Sequence, residues 1–148
     1  GGPPAPPSPG ASASGDPGEF VNRLKQFVAE RGTELCYVSD LGGPLGSSAN
    51  GKITLLENLP PAEEFTTLVH ELAHEMLHWD ANRPQSKTIR ETEAEAVAFV
   101  VAHAVGLDAL RASSDYIQLY QGELETLAQS LERIQSVSTS ILASIHPD

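Results

Sequence analysis

Several residue types are scarce in this chain, and each scarcity narrows its class. Cys36 is the only cysteine among 148 residues, so no internal disulfide can form. Such a chain is typical of a reducing compartment, and we expect it to be cytoplasmic. No apolar run approaches the ~18 residues that a membrane-spanning helix needs, so we expect no membrane segment.

Basic residues are also few. Nine Lys and Arg stand against 20 Asp and Glu, which gives a formal net charge of −11 and a pI of about 4.7. The basic residues are scattered along the chain rather than clustered. An acidic surface repels phosphate backbones, so this domain by itself is not expected to bind DNA or RNA.

The first eighteen residues differ in composition from the rest of the chain. Residues 1–18 are almost entirely Gly, Pro, Ala and Ser, with one charge and no large apolar side chain. Such a segment cannot bury enough surface to offset the entropy of ordering it. The sequence therefore predicts a disordered linker over residues 1–18 and one folded domain over residues 19–148.

Within that domain, apolar periodicity predicts more helix than strand. Helices are predicted over residues 19–31, from the proline pair at 60–61 onward, over 89–105 and over 123–145, with a short helical segment near 115–120. Short strands are predicted over residues 35–38 and 52–56, separated by a loop at 40–51. On the last helix, a seam is predicted to pack against the same domain through Leu124, Leu127, Leu131, Ile134, Ile141 and Ile145.

The helix after the proline pair contains His70-Glu71-Leu72-Ala73-His74, an H-E-x-x-H motif. Positions i and i+4 lie on one helix face, so His70 and His74 can bind a single metal ion. Glu71 projects beside that ion and can take a proton from its bound water. The motif predicts a zinc hydrolase site with Glu71 as general base.

A catalytic zinc ion usually takes three protein ligands, so one more is needed. The helix over 89–105 begins with three carboxylates close together. Glu91 and Glu95 share a face, whereas Glu93 points away from it. We predict Glu91 as the third ligand, and Glu95 as the carboxylate that orients a ligand histidine by accepting its second N–H. Glu93 is the rival ligand; otherwise it is expected to be solvated or to pair with Arg90 or Lys87.

His78 lies one further turn along the same helix. Three ligands at i, i+4 and i+8 would span about 12 Å of a straight helix, which one ion cannot bridge. We therefore predict that His78 caps or borders the helix end, where a cationic imidazole favours the negative helix terminus.

Two segments together resemble a known family. H-E-L-A-H-E-M-L-H, followed by E-T-E-A-E-A-V-A-F-V-V-A-H-A-V-G-L-D, is similar to the ImmA/IrrE group of zincin-like metallopeptidases. The likeness is greatest to the C-terminal peptidase domain of ArdC-type antirestriction proteins. It implies a mostly helical α+β zincin-like fold, with a small antiparallel sheet beside the H-E-x-x-H helix. It also implies that His70, His74 and Glu91 bind Zn²⁺ and that Glu71 is the catalytic acid and base.

The resemblance has implications for partners too. ArdC-type proteins carry an N-terminal domain that binds single-stranded DNA, and residues 1–18 would then be the linker from it. The expected substrate is a protein or peptide, cleaved at few sites. A substrate could add as an extended strand to residues 52–56.

The transition-state oxyanion needs a further hydrogen-bond donor. Tyr116 is the candidate, with Tyr120 and His103 as alternatives.

One alternative function stays open. The same scaffold could be a metal-stabilised interaction or antirestriction module that binds a partner protein without hydrolysing it. An intact H-E-x-x-H motif is necessary for hydrolysis but not sufficient. Replacing Glu71 separates the two, because only the peptidase needs that carboxylate.

Overall fold

The computed structural model of the protein describes residues 13–78, 86–109 and 124–146. It has an α+β architecture with four helices and five short strands in this part. In chain order the elements are β1 (Ala13–Ser14), α1 (Phe20–Glu30), β2 (Glu34–Val38), β3 (Gly46–Ala49), β4 (Lys52–Leu56), α2 (Pro61–Leu77), α3 (Lys87–Ala104), β5 (Asp108–Ala109) and α4 (Leu124–Ile145). No helix in the described part is both long and apolar enough to cross a bilayer.

The sheet beside α2 is mixed, so the expectation of an antiparallel sheet is wrong. Its strand order is β2-β4-β3, with β2 parallel and β3 antiparallel to β4. Residues 39–45 carry the chain past the middle of the sheet, so β3 forms at the far edge. The two-residue turn Asn50-Gly51 then returns the chain as β4 between the other strands. Both turn residues have positive φ (52° and 81°), as a type I′ hairpin turn requires.

Residues 46–49 form a strand, although the sequence predicts a loop over 40–51. The segment reads Gly-Ser-Ser-Ala and lacks the alternating large apolar side chains that announce a strand. The segment is a strand because it pairs with β4 and packs closely against α2. The Asn50-Gly51 dipeptide could have predicted this strand, because Asn-Gly favours hairpin turns and so indicates a strand on each side.

Helix α2 lies at the centre of the domain and contacts all three other helices as well as β3 and β4. Pro61 begins it, at a position where the missing N–H costs no helical hydrogen bond. Glu63 and Glu64 in its first turn interact favourably with the helix dipole. The core around it includes these fully buried large apolar side chains: Leu24, Val28, Ile53, Leu55, Phe65, Leu68, Val69, Leu72, Val97, Val101, Ile141 and Ile145.

Residues 13–18, which the sequence predicts to belong to a disordered linker, are part of the fold. Ala13 and Ser14 form β1, which pairs antiparallel with β5, and Pro17 is buried. This segment needs no large side chain of its own, because the pairing strand comes from residues 108–109. Residues 1–12 lie outside the described residues, and so does the predicted short helix near 115–120.

Helix α4 packs against α1, α2 and α3, as predicted for the same domain. Its buried face differs from the predicted seam, since Leu131 is half exposed. The neighbouring Ser130 is fully buried instead, and the other buried residues of this face are Ile134, Val137, Ser138, Ile141 and Ile145. Ser130 turns inward because its hydroxyl donates to a buried carboxylate of α3, a contact that apolar periodicity does not register.

Candidate metal centre

Two histidines of α2 and one glutamate of α3 come together at the surface between these helices. His70 Nε2 lies 3.1 Å from Glu91 Oε2, and His74 Nε2 lies 3.0 Å from Glu91 Oε1. The two imidazole side chains are 14% and 16% exposed, and the carboxylate is 46% exposed. The two rings meet edge to face with centroids 5.0 Å apart. The predicted trio is therefore assembled with one side open to solvent.

The dimensions of this trio fit a tetrahedral metal ion. One ligand atom from each of the three residues lies within 4.8 Å of the others. In tetrahedral coordination with bonds of about 2.1 Å, ligand atoms stand about 3.4 Å apart. Two imidazoles and one carboxylate are also a donor set that suits zinc. The trio leaves a position free for a further ligand, because the cleft opens over it.

The electrostatics of the trio reflect the close approach of these groups. Hydrogen bonds with His70 and His74 hold the pKa of Glu91 far below its ordinary value. Burial alone would lower the pKa of His70, but the contact with Glu91 and the charges of Glu71, Glu91 and Glu95 outweigh it, so that pKa is raised. A site that stabilises positive charge on the His70 imidazole in this way also attracts a cation.

Glu71 lies beside the trio at the floor of the cleft and is 8% exposed. Burial raises its pKa above the ordinary value, and the nearby His70, His74 and a hydrogen bond with Ser48 offset that rise only in part. Gly46 of β3 packs directly against its stem. The side chain is thus confined between α2 and β3 with its carboxylate near the open position.

A cleft of about 920 Å³ runs over these residues. Residues 43–51 form one wall, α2 forms the floor, and the first turns of α3 form the other wall. The polar and charged residues that line it are Ser47, Ser48, Asn50, Thr67, His70, Glu71, His74, Glu75, His78, Lys87, Arg90, Glu91 and Glu95. Side chains of both charges are present, so the cleft offers hydrogen-bonding groups to an extended ligand.

The strand that borders this cleft is β3, which corrects the expectation that residues 52–56 receive a substrate. Strand β4 is hydrogen-bonded on both sides and has no edge to offer. The outer edge of β3 pairs with no other strand within residues 13–78, 86–109 and 124–146. Leu56 N–H donates to Leu45 C=O. By antiparallel alternation, Gly46 and Ser48 then direct their backbone N–H and C=O groups toward the outer edge.

Glu93 occupies a different place from the one predicted. It is fully buried, whereas the sequence suggested solvent or a pair with Arg90 or Lys87. One carboxylate oxygen lies 2.8 Å from His78 Nε2, and the other accepts from Ser130 Oγ and, at 2.6 Å, from Arg133 Nη2. Burial would raise the pKa of Glu93, but these hydrogen bonds outweigh it and lower that pKa.

His78 ends α2 as predicted, since it is the C-cap residue and its N–H donates to His74 C=O. Its ring is not at the border of the fold, however, because its side chain is only 3% exposed. Its Nδ1 lies 2.8 Å from His74 Nδ1. The spacing of four residues on one helix could have predicted the contact between His74 and His78. No spacing in the sequence predicts the contacts with residues of α3 and α4, which lie far away along the chain.

The remaining predicted residues have three different outcomes. Glu95 lies at the cleft and acts on His70 through its charge. His103 is exposed at the far end of α3, twelve residues and about 18 Å from Glu91, so it is wrong as an oxyanion donor. Tyr116 and Tyr120 lie outside the described residues.

Comparison of the chain with protein-family models, with curated proteins and with solved structures finds no match in any of the three.

Proposed function

We propose that this domain is a zinc-dependent metallopeptidase that hydrolyses peptide bonds in a specific protein of regulatory or defence-related role. The observation that carries the proposal is the convergence of His70, His74 and Glu91 beside Glu71 in an open cleft. His70 Nε2, His74 Nε2 and the Glu91 carboxylate would hold the ion. When bound, zinc lowers the pKa of a coordinated water to near 7 and polarises the carbonyl of the peptide.

Glu71 supplies the proton transfers in this proposal. Its carboxylate takes a proton from the attacking water and later delivers it to the nitrogen of the leaving amine. Ser48 keeps the carboxylate oriented through its hydrogen bond, and Gly46 lets β3 approach closely enough for that bond. Proton transfer by a positioned carboxylate contributes roughly 10²- to 10⁴-fold to the rate.

The outer edge of β3 is the proposed substrate-binding strand. A peptide in extended conformation would pair with the backbone groups of Gly46 and Ser48, and its reacting carbonyl would then lie above α2. Main-chain pairing supplies affinity for any sequence, whereas side-chain contacts in the cleft select among sequences. Lys87 and Arg90 line the opposite wall and place positive charge where acidic groups of a substrate would lie.

We further propose that the domain belongs with the ImmA/IrrE group, near ArdC-type antirestriction proteins. The support is the order of motifs in the sequence, in which H-E-x-x-H is followed by a helix that begins with the ligand glutamate. Such a relationship requires that His70, His74 and Glu91 lie close enough to bind one metal ion, and their distances are compatible with that.

The experiment compares zinc-loaded wild type with Glu71→Gln on a library of unstructured peptides, with new termini identified by mass spectrometry. Glu71→Gln should retain zinc and lose cleavage by at least ~100-fold, because an amide cannot accept the proton. Glu63→Gln, the same change two turns earlier on α2, is the matched control and should cleave like wild type. If wild type binds zinc but yields no termini beyond those of Glu71→Gln, hydrolysis is refuted and the interaction module remains.

A further inference from the structure

On the side of its ring away from Glu91, His74 contacts a buried chain of hydrogen-bonded side chains. The chain runs from His78 of α2 through Glu93 of α3 to Ser130 and Arg133 of α4. We propose that His78 and Glu93 are positioning residues that fix the ring orientation and tautomer of His74, and thereby strengthen metal binding. The inference rests on the proposed metal site. It adds a function for two residues that are not among the three proposed metal ligands.

Proton placement along the chain is determined by the contacts. His74 Nε2 faces Glu91, and to bind a metal it must carry a free electron pair. The proton of a neutral His74 then lies on Nδ1 and is donated to His78 Nδ1, 2.8 Å away. Because that atom accepts, the proton of His78 lies on Nε2 and is donated to Glu93 Oε1, also 2.8 Å away. These contacts give one direction of proton donation, from His74 through His78 to Glu93.

The far end of the chain keeps Glu93 ionised. Its side chain is fully buried, and an isolated carboxylate there would be strongly unfavourable. Ser130 and Arg133, one turn apart on α4, both donate to Oε2, so the charge is compensated. The remaining oxygen is left to accept from His78. An ionised acceptor makes a stronger hydrogen bond than a neutral one, which propagates to His74 as greater basicity at Nε2.

If this network served stability alone, it would not need to connect Glu93 to the ligand His74 through His78. Glu93 could have compensated Arg133 alone, with an apolar residue at position 78 against the core. Instead, the buried ring of His78 places one nitrogen on the carboxylate and the other on the ligand histidine. Removal of a partner of this kind typically weakens metal affinity by about 10- to 100-fold.

The variants that test the inference are His78→Leu and His78→Gln, with His103→Leu as matched control. Leucine fills the buried space but cannot accept from His74 Nδ1–H, whereas the glutamine amide oxygen can. His103 is an exposed histidine near the end of α3, remote from the cleft. Zinc dissociation constants are measured by competition with a chromophoric chelator, and cobalt spectra report the ligand field. Circular dichroism of the metal-free proteins reports folding.

We expect His78→Leu to bind zinc about 10- to 100-fold more weakly and to shift the cobalt spectrum. His78→Gln should restore most of the affinity, and His103→Leu should equal wild type. Equal zinc affinities and cobalt spectra for wild type and a folded His78→Leu would overturn the inference while leaving the peptidase proposal intact. Wild type that binds zinc without cleaving peptides would refute only hydrolysis. Wild type that binds no zinc would refute both.

A measurement on the wild type covers the case in which His78→Leu does not fold. Long-range ¹H–¹⁵N correlation spectra of the zinc-loaded, ¹⁵N-histidine-labelled protein report which ring nitrogen carries each proton. We expect the Nδ1–H form for His74 and the neutral Nε2–H form for His78. A proton on Nδ1 of His78 would overturn the inference.

Discussion

Gly46 in β3 lies directly against Glu71 in α2. A Cβ atom added at position 46 would stand 3.2 Å from Glu71 Cγ and only 2.8 Å from Thr67 Cγ2. The absence of a side chain there is what allows the edge strand to approach the helix. The same close approach brings Ser48, two residues on and on the same face of β3, within hydrogen-bonding distance of the Glu71 carboxylate.

Gly46→Ala should therefore destabilise the domain and displace β3 from α2. Overpacking at a site with contacts of this length costs about 1–3 kcal/mol of unfolding free energy. Chemical denaturation measures the loss. Ser47→Ala, at the neighbouring exposed position, is the control and should change stability by less than ~0.5 kcal/mol. Equal stability of the two variants would contradict the packing described here.

The edge-strand proposal predicts a specific effect of proline at position 48. Ser48→Pro removes the backbone N–H that faces the outer edge, while its effect on pairing with β4 should be small. One lost main-chain hydrogen bond to the substrate corresponds to about a tenfold fall in kcat/KM. The measurement uses a peptide found to be cleaved in the library experiment.

Ser48→Ala is the matched control for this variant, since both lack the hydroxyl that contacts Glu71. The proline variant should fall below the alanine variant in kcat/KM, with similar melting temperatures for the two. If their kcat/KM values coincide, the substrate does not pair with the β3 edge at this residue.

Metal binding should depend on Glu91 far more than on Glu95. Mass-spectrometric metal analysis should find one zinc per chain in wild type and in Glu95→Ala, and little in Glu91→Ala. Zinc at a hundredfold excess over its dissociation constant should stabilise wild type by about 2.7 kcal/mol, visible as a higher melting temperature. A chelator should reverse that rise. Full zinc occupancy in Glu91→Ala would contradict the ligand assignment.

The buried carboxylate of Glu93 should make α4 important for stability. Arg133→Leu removes two donors at 2.6 and 3.1 Å from Glu93 Oε2 and leaves Ser130 and His78 to compensate the charge. We expect a loss of about 3 kcal/mol, at the low end for a broken buried pair because Arg133 is 30% exposed. Denaturant unfolding measures it.

A solvent-exposed ion pair provides the comparison for Arg133. Lys52 lies 3.6 Å from Glu34, and both side chains are more than half exposed. Lys52→Ala should cost less than about 1 kcal/mol. A similar loss in Lys52→Ala and Arg133→Leu would mean that burial of Glu93 does not govern the energetics of its pairing.

The parts of this protein that the sequence alone determined are those governed by contacts within one element. The apolar periodicity and the proline pair predicted α2, and the i, i+4 spacing placed His70 and His74 on one face. Helical geometry also placed Glu91 and Glu93 on different faces, because residues two positions apart are rotated by about 200° around the helix axis. These relationships need no knowledge of how distant segments pack.

Only the tertiary structure decided which distant groups meet. Strand β3 is four small residues whose pairing depends on the hairpin turn and on space for Gly46 against Glu71. The contact of Glu93 with Arg133 joins positions forty residues apart, and no local pattern marks either as a partner of the other. Its physical origin is the cost of burying a charge, which is avoided only when the whole fold brings compensating donors to it.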